Sequence, residues 1–287
     1  MKVTAALIAL TMAGAVFAEM GPIVIGPGSY GQELVTRVIH KNRNVDSLTL
    51  YVAVPHTSNP QAIASTTGKT GTPATATAKK VLVNGKAHFD YVAGQLTATM
   101  PMLDVSGKNA GVMTISLKGS SRQELEHEAL AIRTYLQRNT SYAANLVQKA
   151  LWDKNLPLNS YAQDLVDETL ARHRDVLIMA IHAATPKNAT PEILASNIGR
   201  IGKPDDSDDA RVVNLGKTNL ENNTGLQRYE VELPLNDSTG KRIGALGVVF
   251  PLTKNIDEKA RHEEAIRIRD ELARKIPSAA KLVETTY

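Results

Sequence analysis

The stretch Leu233–Phe250 reads LPLNDSTGKRIGALGVVF, and Met100–Leu117 reads MPMLDVSGKNAGVMTISL. Both place Asp three residues after Pro, then Gly, Lys and Gly at matching intervals: Pro101, Asp104, Gly107, Lys108 and Gly111 in the first, Pro234, Asp237, Gly240, Lys241 and Gly244 in the second. Asp-x-x-Gly suits a type I turn with Asp at its first position and Gly at its last. Such a turn joins two antiparallel strands into a hairpin. Gly111–Leu117 and Gly244–Phe250 are then the returning strands.

The flanks repeat as well. At one constant offset Ser29, Tyr30, Gln32, Leu34 and Val35 fall on Ser160, Tyr161, Gln163, Leu165 and Val166. Further on, Ala64, Ser65, Gly68, Gly71 and Pro73 fall on Ala195, Ser196, Gly199, Gly202 and Pro204. After short insertions Ile132, Arg133, Leu136 and Arg138 fall on Ile268, Arg269, Leu272 and Arg274. The expected organisation is a signal peptide at 1–18, a module at 19–148, a linker at 149–156 and a second module at 157–287. Two copies are too few for a solenoid, which needs at least three repeats.

Within each copy the pattern runs helix, strands, helix. Gln32–Lys41 puts Leu34, Val35, Val38 and Ile39 on one face, and Asp164–His173 repeats the spacing. Ser47–Val54 and Val176–Ala183 follow as strands, then His88–Met100 and Gln227–Leu233. In the latter Tyr229, Val231 and Leu233 point one way, and Arg228, Glu230 and Glu232 the other. Ser121–Glu124 has the S-x-x-E spacing expected of a capping box at the start of the first closing helix. The other runs from about Asp257 to Lys275, with Pro277 just past its end. The fold class is therefore α+β: two modules, each an antiparallel sheet flanked by N- and C-terminal helices.

On these residues each copy resembles the PAS-like fold and, more narrowly, the Cache-type extracytoplasmic sensor domains. In those, P-[IVL]-x-D-x-x-G-x-x-[IVL]-G before a last apolar strand recurs. The second copy has it as Pro234 to Gly244, and the first as Pro101 to Gly111 with Ala110 at the penultimate place. The resemblance implies an extracytoplasmic module that binds a small molecule. It supplies no ligand signature.

Composition narrows the function. The chain has 287 residues with a formal charge of +4, 43% hydrophobic and 22% charged residues. Acidic and basic residues are interspersed, and only 4% of residues are aromatic, so no surface for nucleic acid is expected. Lys2, the apolar run Ala5–Val16 and small residues ending at Ala18 have the layout of a secretory signal. The run is shorter than the roughly 20 residues of a membrane span. The protein is thus expected to be periplasmic or secreted after cleavage near Ala18, and not membrane-spanning. It has no cysteine, which excludes disulfides and thiolate chemistry.

The candidate site lies where the copies differ most. Asp205, Asp206, Asp208 and Asp209 stand opposite Ala74, Thr75, Thr77 and Ala78. Four carboxylates so close together suit a divalent cation such as calcium, or hydrogen bonds from a ligand amine. They also suit a solvated loop, or a helix cap at Asp205 or Asp206. The spacing is not that of an EF-hand. Asn197, Arg200 and Lys203 precede the cluster, and Arg200 suits a carboxylate ligand. His182 interrupts the apolar strand VLIMAIHA, either as a pocket wall or as a hydrogen-bonded core residue. The candidate ligand-binding residues are therefore Asn197, Arg200, Lys203, Asp205, Asp208, His182 and Tyr229. The candidate metal ligands are Asp205, Asp206, Asp208 and Asp209. No catalytic motif accompanies them.

The expected function is binding of a small polar molecule, mainly in the second module, with the liganded state presented to a membrane receptor or transporter. The alternatives are a metal-dependent hydrolase using Asp205–Asp209, and a docking protein that holds no ligand.

Overall fold

The computed structural model describes residues 23–54 and 59–286. The secretory-signal reading of 1–18 lies outside them. The front half runs α1 (Tyr30–Lys41), β1 (Val45–Val52), β2 (Gln61–Ser65), α2 (Ala76–Asn84), β3 (His88–Val92), β4 (Gln95–Leu103), β5 (Asn109–Lys118) and α3 (Arg122–Arg138). The back half repeats this as α4 (Tyr161–Arg172), β6 (Ile178–Thr185), β7 (Asn188–Ser196), α5 (Ser207–Leu215), β8 (Asn219–Asn223), β9 (Arg228–Asn236), β10 (Arg242–Pro251) and α6 (Glu258–Lys275). A short α7 (Ala279–Leu282) ends it. Two five-stranded sheets result, ordered β2-β1-β5-β4-β3 and β7-β6-β10-β9-β8. Every pairing within them is antiparallel. The class is α+β, with two PAS-like modules.

The repeated residues make matching contacts. Ser29 caps α1 by accepting from Gln32 N at 3.1 Å, and Ser160 caps α4 by accepting from Gln163 N at 3.2 Å. Each glutamine then reaches the sheet edge. Gln32 Oε1 accepts from Ser65 N at 3.0 Å, and Gln163 Oε1 from Ser196 N at 3.2 Å. One side chain thus ties the entry helix to the outer strand in both halves.

The quoted motif is the β4–β5 and β9–β10 hairpin. Gly107 N donates to Asp104 O at 2.9 Å, and Gly240 N to Asp237 O at 3.0 Å. Both glycines have positive φ, 78° and 88°, where a side chain is strained. The aspartate side chain satisfies the turn's other donors. Asp104 Oδ1 accepts from Ser106 N and Lys108 N, and Asp237 Oδ1 from Thr239 N, Thr239 Oγ1 and Lys241 N. Asp237→Ala removes the acceptor that organises this turn and is expected to lower the denaturant midpoint.

One expectation is corrected. His88–Met100 is not one strand: Ala93 (φ 49°) and Gly94 (φ 79°) turn the chain between β3 and β4. The Thr-rich run Ser65–Thr77 joins β2 to α2. It leaves β2, turns at Gly68 and Gly71 and caps α2 through Thr75, which accepts from Ala78 N.

Each sheet is covered on both faces. One face packs against α1 and α3, or α4 and α6, and carries the large apolar core. The other packs against α2 in front and α5 behind. That second layer explains why Glu232, an outward residue of β9, is nonetheless buried, whereas Arg228 on the same side of the strand is buried against Ser141.

The halves meet through the turn after α3. Tyr30 Oη lies 2.9 Å from Asn139 O and 3.0 Å from Asn197 O, its single hydrogen shared between the two carbonyls. Arg228 donates to Ser141 Oγ at 2.8 Å and Ser141 O at 2.5 Å. Val105, Leu177, Ile178, Ile198 and Val249 form a small apolar cluster beside them. No described helix is long and apolar enough to cross a membrane.

Candidate functional site

The site lies on the sheet face beneath α5. β6 contributes His182, the loop before α5 contributes Asp205, α5 itself Asp209, and β9 Glu230 and Glu232. Asp206 is the α5 N-cap. Its side chain accepts from Asp208 N and Asp209 N, and Asp209 Oδ2 accepts from Asp206 N in return. This capping box fixes where α5 starts and turns Asp209 toward the sheet.

His182 Nδ1 lies 2.8 Å from Asp205 Oδ1 and 3.7 Å from Asp209 Oδ2. The side chains of His182 and Asp205 are 7% and 2% exposed, so water screens little of this interaction. Asp205 Oδ2 is buried with no hydrogen-bond partner. Glu232 Oε2 accepts from Asn219 Nδ2 at 3.1 Å, and Glu232 also hydrogen-bonds Asp209. Glu192, on β7, is buried nearby with Oε1 unpartnered.

Crowding carboxyls around one imidazole moves their protons. Burial opposes charge on His182, but the hydrogen bond to Asp205 and the charges of Asp209 and Asp205 outweigh it and hold the imidazolium above its ordinary value. Burial raises Glu232, and the shared hydrogen bond with Asp209 raises it further. Burial opposes ionisation of Asp209 too. The bond from Glu232 and the His182 charge nevertheless pull it below its ordinary value. The pair therefore shares one proton, held on Glu232. Burial and then the Glu221 charge lift Glu230 to about 7.

The front half fills the same space with apolar or neutral groups. Tyr51, Ala74 and Ala78 occupy the places of His182, Asp205 and Asp209, and pack with Ala62, Val81 and Val112 under α2. Gln61, Thr97 and Thr99 stand where the back half has Glu192, Glu230 and Glu232. One scaffold thus carries a hydrophobic plug in front and a charged cluster behind.

Of the residues expected from sequence, His182, Asp205 and Asp209 come together. Lys203 lies close enough for its charge to lower Asp209. Asp206 spends its side chain on the cap, and Asp208 points out to pair with Arg211 at 3.0 Å. Tyr229 sits in the core on the opposite face of β9, because side chains alternate along a strand. Asn197 is a joint between the halves. Its amide donates to Arg138 O at 2.6 Å and Leu177 O at 3.0 Å, and its oxygen accepts from Met179 N at 3.0 Å. Arg200 has φ 65° and reaches Tyr142 Oη at 3.4 Å, on the side of that joint. Glu192, Glu230 and Glu232 were missed. Setting the two halves side by side, as for the aspartates, would have marked the last two against Thr97 and Thr99.

A separate cavity of about 660 Å³ opens between α1 and the start of α4, lined by Glu33, Arg37, His40, Lys41, Leu158 and Asp164 among others. None of the cluster residues lines it. Arg37 there is already engaged with Glu33 at 3.0 Å.

No family model matches the chain, and no curated protein matches it. Among solved structures, similarity is found to the GAF domain of A. Aeolicus nlh2 in an inactive state, at 13% identity and a TM-score of 0.31, over 37% of this chain and 79% of that one. PelD 158-CT from Pseudomonas aeruginosa PAO1 matches at 17% identity and a TM-score of 0.31, over 85% of this chain and 75% of that one. The same protein in complex with c-di-GMP matches at 14% identity and a TM-score of 0.29, over 88% and 79%. At these scores the similarities are too slight to bear on what this chain binds.

Proposed function

We propose that this chain is a sensor-type binding protein whose back module holds a small polar or charged ligand beneath α5. The observation that carries the reading is the contrast between the two α-covered faces. The front one is packed with Tyr51, Ala74, Ala78 and Val81, and the back one gathers the buried side chains of His182, Asp205 and Glu232 around a half-buried Asp209. Buried charge is costly unless it is partnered, so a cluster that does not serve packing points to binding. In this reading the chain is of the Cache type and exported, and presents its liganded state to a membrane receptor or transporter.

The test is a thermal-shift screen of the full chain against amines, amino acids, small carboxylates and divalent ions. A ligand at a hundred times its Kd is expected to stabilise by about 2.7 kcal/mol, a shift of several degrees. The shift should vanish in Asp205→Asn, which removes the buried charge beside His182, and persist in Asp208→Asn, whose side chain faces solvent. A ligand whose effect survives Asp205→Asn, or no ligand at all, overturns the assignment. The hydrolase alternative draws on the same residues and would appear as turnover. A docking protein would show no shift with any of these compounds.

A further inference from the structure

We propose that the back module binds one divalent first-row transition-metal ion, zinc being its representative, between the imidazole of His182 and the carboxylates of Asp205 and Asp209. This rests on the reading that the α5-covered face is the binding site, and names its ligand class.

The donor atoms of these three side chains all lie within 4.8 Å of one another. Donors around a tetrahedral zinc stand about 3.4 Å apart when each bond is about 2.1 Å. The observed separations from His182 Nδ1, 2.8 Å to Asp205 and 3.7 Å to Asp209, bracket that value. The donors also come from three separate elements: a strand, a loop and a capped helix. Placed this way, they converge on a point instead of lining a surface.

The second observation is Asp205 Oδ2. Its side chain is 2% exposed, its other oxygen lies against the imidazole, and Oδ2 itself has no partner. A buried carboxylate oxygen without a donor calls for a positive charge. A cation seated between Asp205, Asp209 and His182 supplies one. Behind the ligands, Glu232 hydrogen-bonds Asp209 and is itself held by Asn219, the kind of outer support that orients metal-binding side chains.

The donor set selects the metal. An imidazole nitrogen with carboxylate oxygens suits zinc and its neighbours, whereas calcium takes oxygen ligands in larger number. The calcium expected from the aspartates alone is therefore replaced by a softer ion, because His182 is part of the set and Asp206 and Asp208 are not. The front half offers Tyr51, Ala74 and Ala78 at the three positions, so the stoichiometry should be one ion per chain.

The experiment uses the full chain, stripped with a chelator, dialysed and titrated with zinc chloride by calorimetry, with bound zinc counted by elemental analysis. One ion per chain is expected. His182→Gln and Asp209→Asn should each weaken binding tenfold or more, and Asp208→Asn should leave it unchanged. Asp209 also belongs to the α5 cap, so circular dichroism must show that its variant is folded. Cobalt(II) gives an independent signature: visible absorption bands in the native chain that His182→Gln abolishes. Binding that is not saturable, or equally tight in His182→Gln, overturns the proposal. If zinc fails while an organic ligand gives a shift lost in Asp205→Asn, the metal is wrong and the binding site stands. If neither acts through these residues, both fall.

Discussion

Gly244→Ala is expected to destabilise the back module by on the order of 3 kcal/mol or more, and Gly244→Val to prevent its folding. Gly244 pairs with Ala183 across β10 and β6, in the middle of the sheet. A Cβ built there would come far inside 3.0 Å of His182 O, with Ala183 Cβ and His182 C crowding it as well. Both obstacles on His182 are backbone in a paired strand, so neither moves without breaking hydrogen bonds. The obstruction is repeated in front, where a Cβ on Gly111 would meet Tyr51 O. The last glycine of the motif is thus a spacing requirement of the sheet. Chemical denaturation of Gly244→Ala beside Gly107→Ala would check this. The second change is at a turn with open space around it, and costs only the strain of its positive φ, about 1 kcal/mol. Equal losses would contradict the account.

Glu230→Gln is expected to stabilise the metal-free protein by about 3 kcal/mol at pH 8.5, and by almost nothing near pH 4. Burial and the Glu221 charge raise Glu230 to about 7 in the folded chain, against 4.5 for an ordinary glutamate. At about 1.4 kcal/mol for each pH unit of difference, the gap amounts to about 3 kcal/mol. Between those values the folded state holds a proton that the unfolded state has released. Stability therefore falls as the pH rises through this window, and stays low above it. His182, also raised, works in the same direction: the stability its partners contribute is complete below the ordinary histidine value and is lost as pH rises through its elevated one. Glu232 adds to the same slope, and lowered Asp209 opposes it only at the acid end. Comparing native and Glu230→Gln proteins by urea unfolding with chelator present, at several pH values, isolates the one carboxyl. Curves that stay parallel throughout would contradict it.

The sequence carried the hairpins, the central strands and the long closing helices plainly, because each is marked by turn chemistry or an unbroken apolar period. Two kinds of element were only partly legible. Strand β3 was merged with β4 and β8 went unread, because both edge strands are mostly exposed along their length and show little apolar signal. Helix α2 went unread and α5 was offered only as one alternative, a cap at Asp205 or Asp206, because both are short and contribute few buried residues, Ala78 and Val81 in one and Val212 in the other. Leaving α5 as one alternative among several had a cost at the site. Without a second layer over the sheet, Glu230 and Glu232 read as ordinary outward residues of an alternating strand, and Asn197 and Tyr229 read as pocket walls. The aspartates and His182 were legible because they break a local pattern. The glutamates keep it, and only the helix above them gives them meaning.

One strand, β9, carries Arg228, Glu230 and Glu232 at alternate positions, all facing the same way. At one end its guanidinium grips Ser141 of the front half; two and four residues on, its carboxyls border the buried His182 cluster. Displacing the middle of this strand would therefore tug on Ser141, across the boundary between the halves.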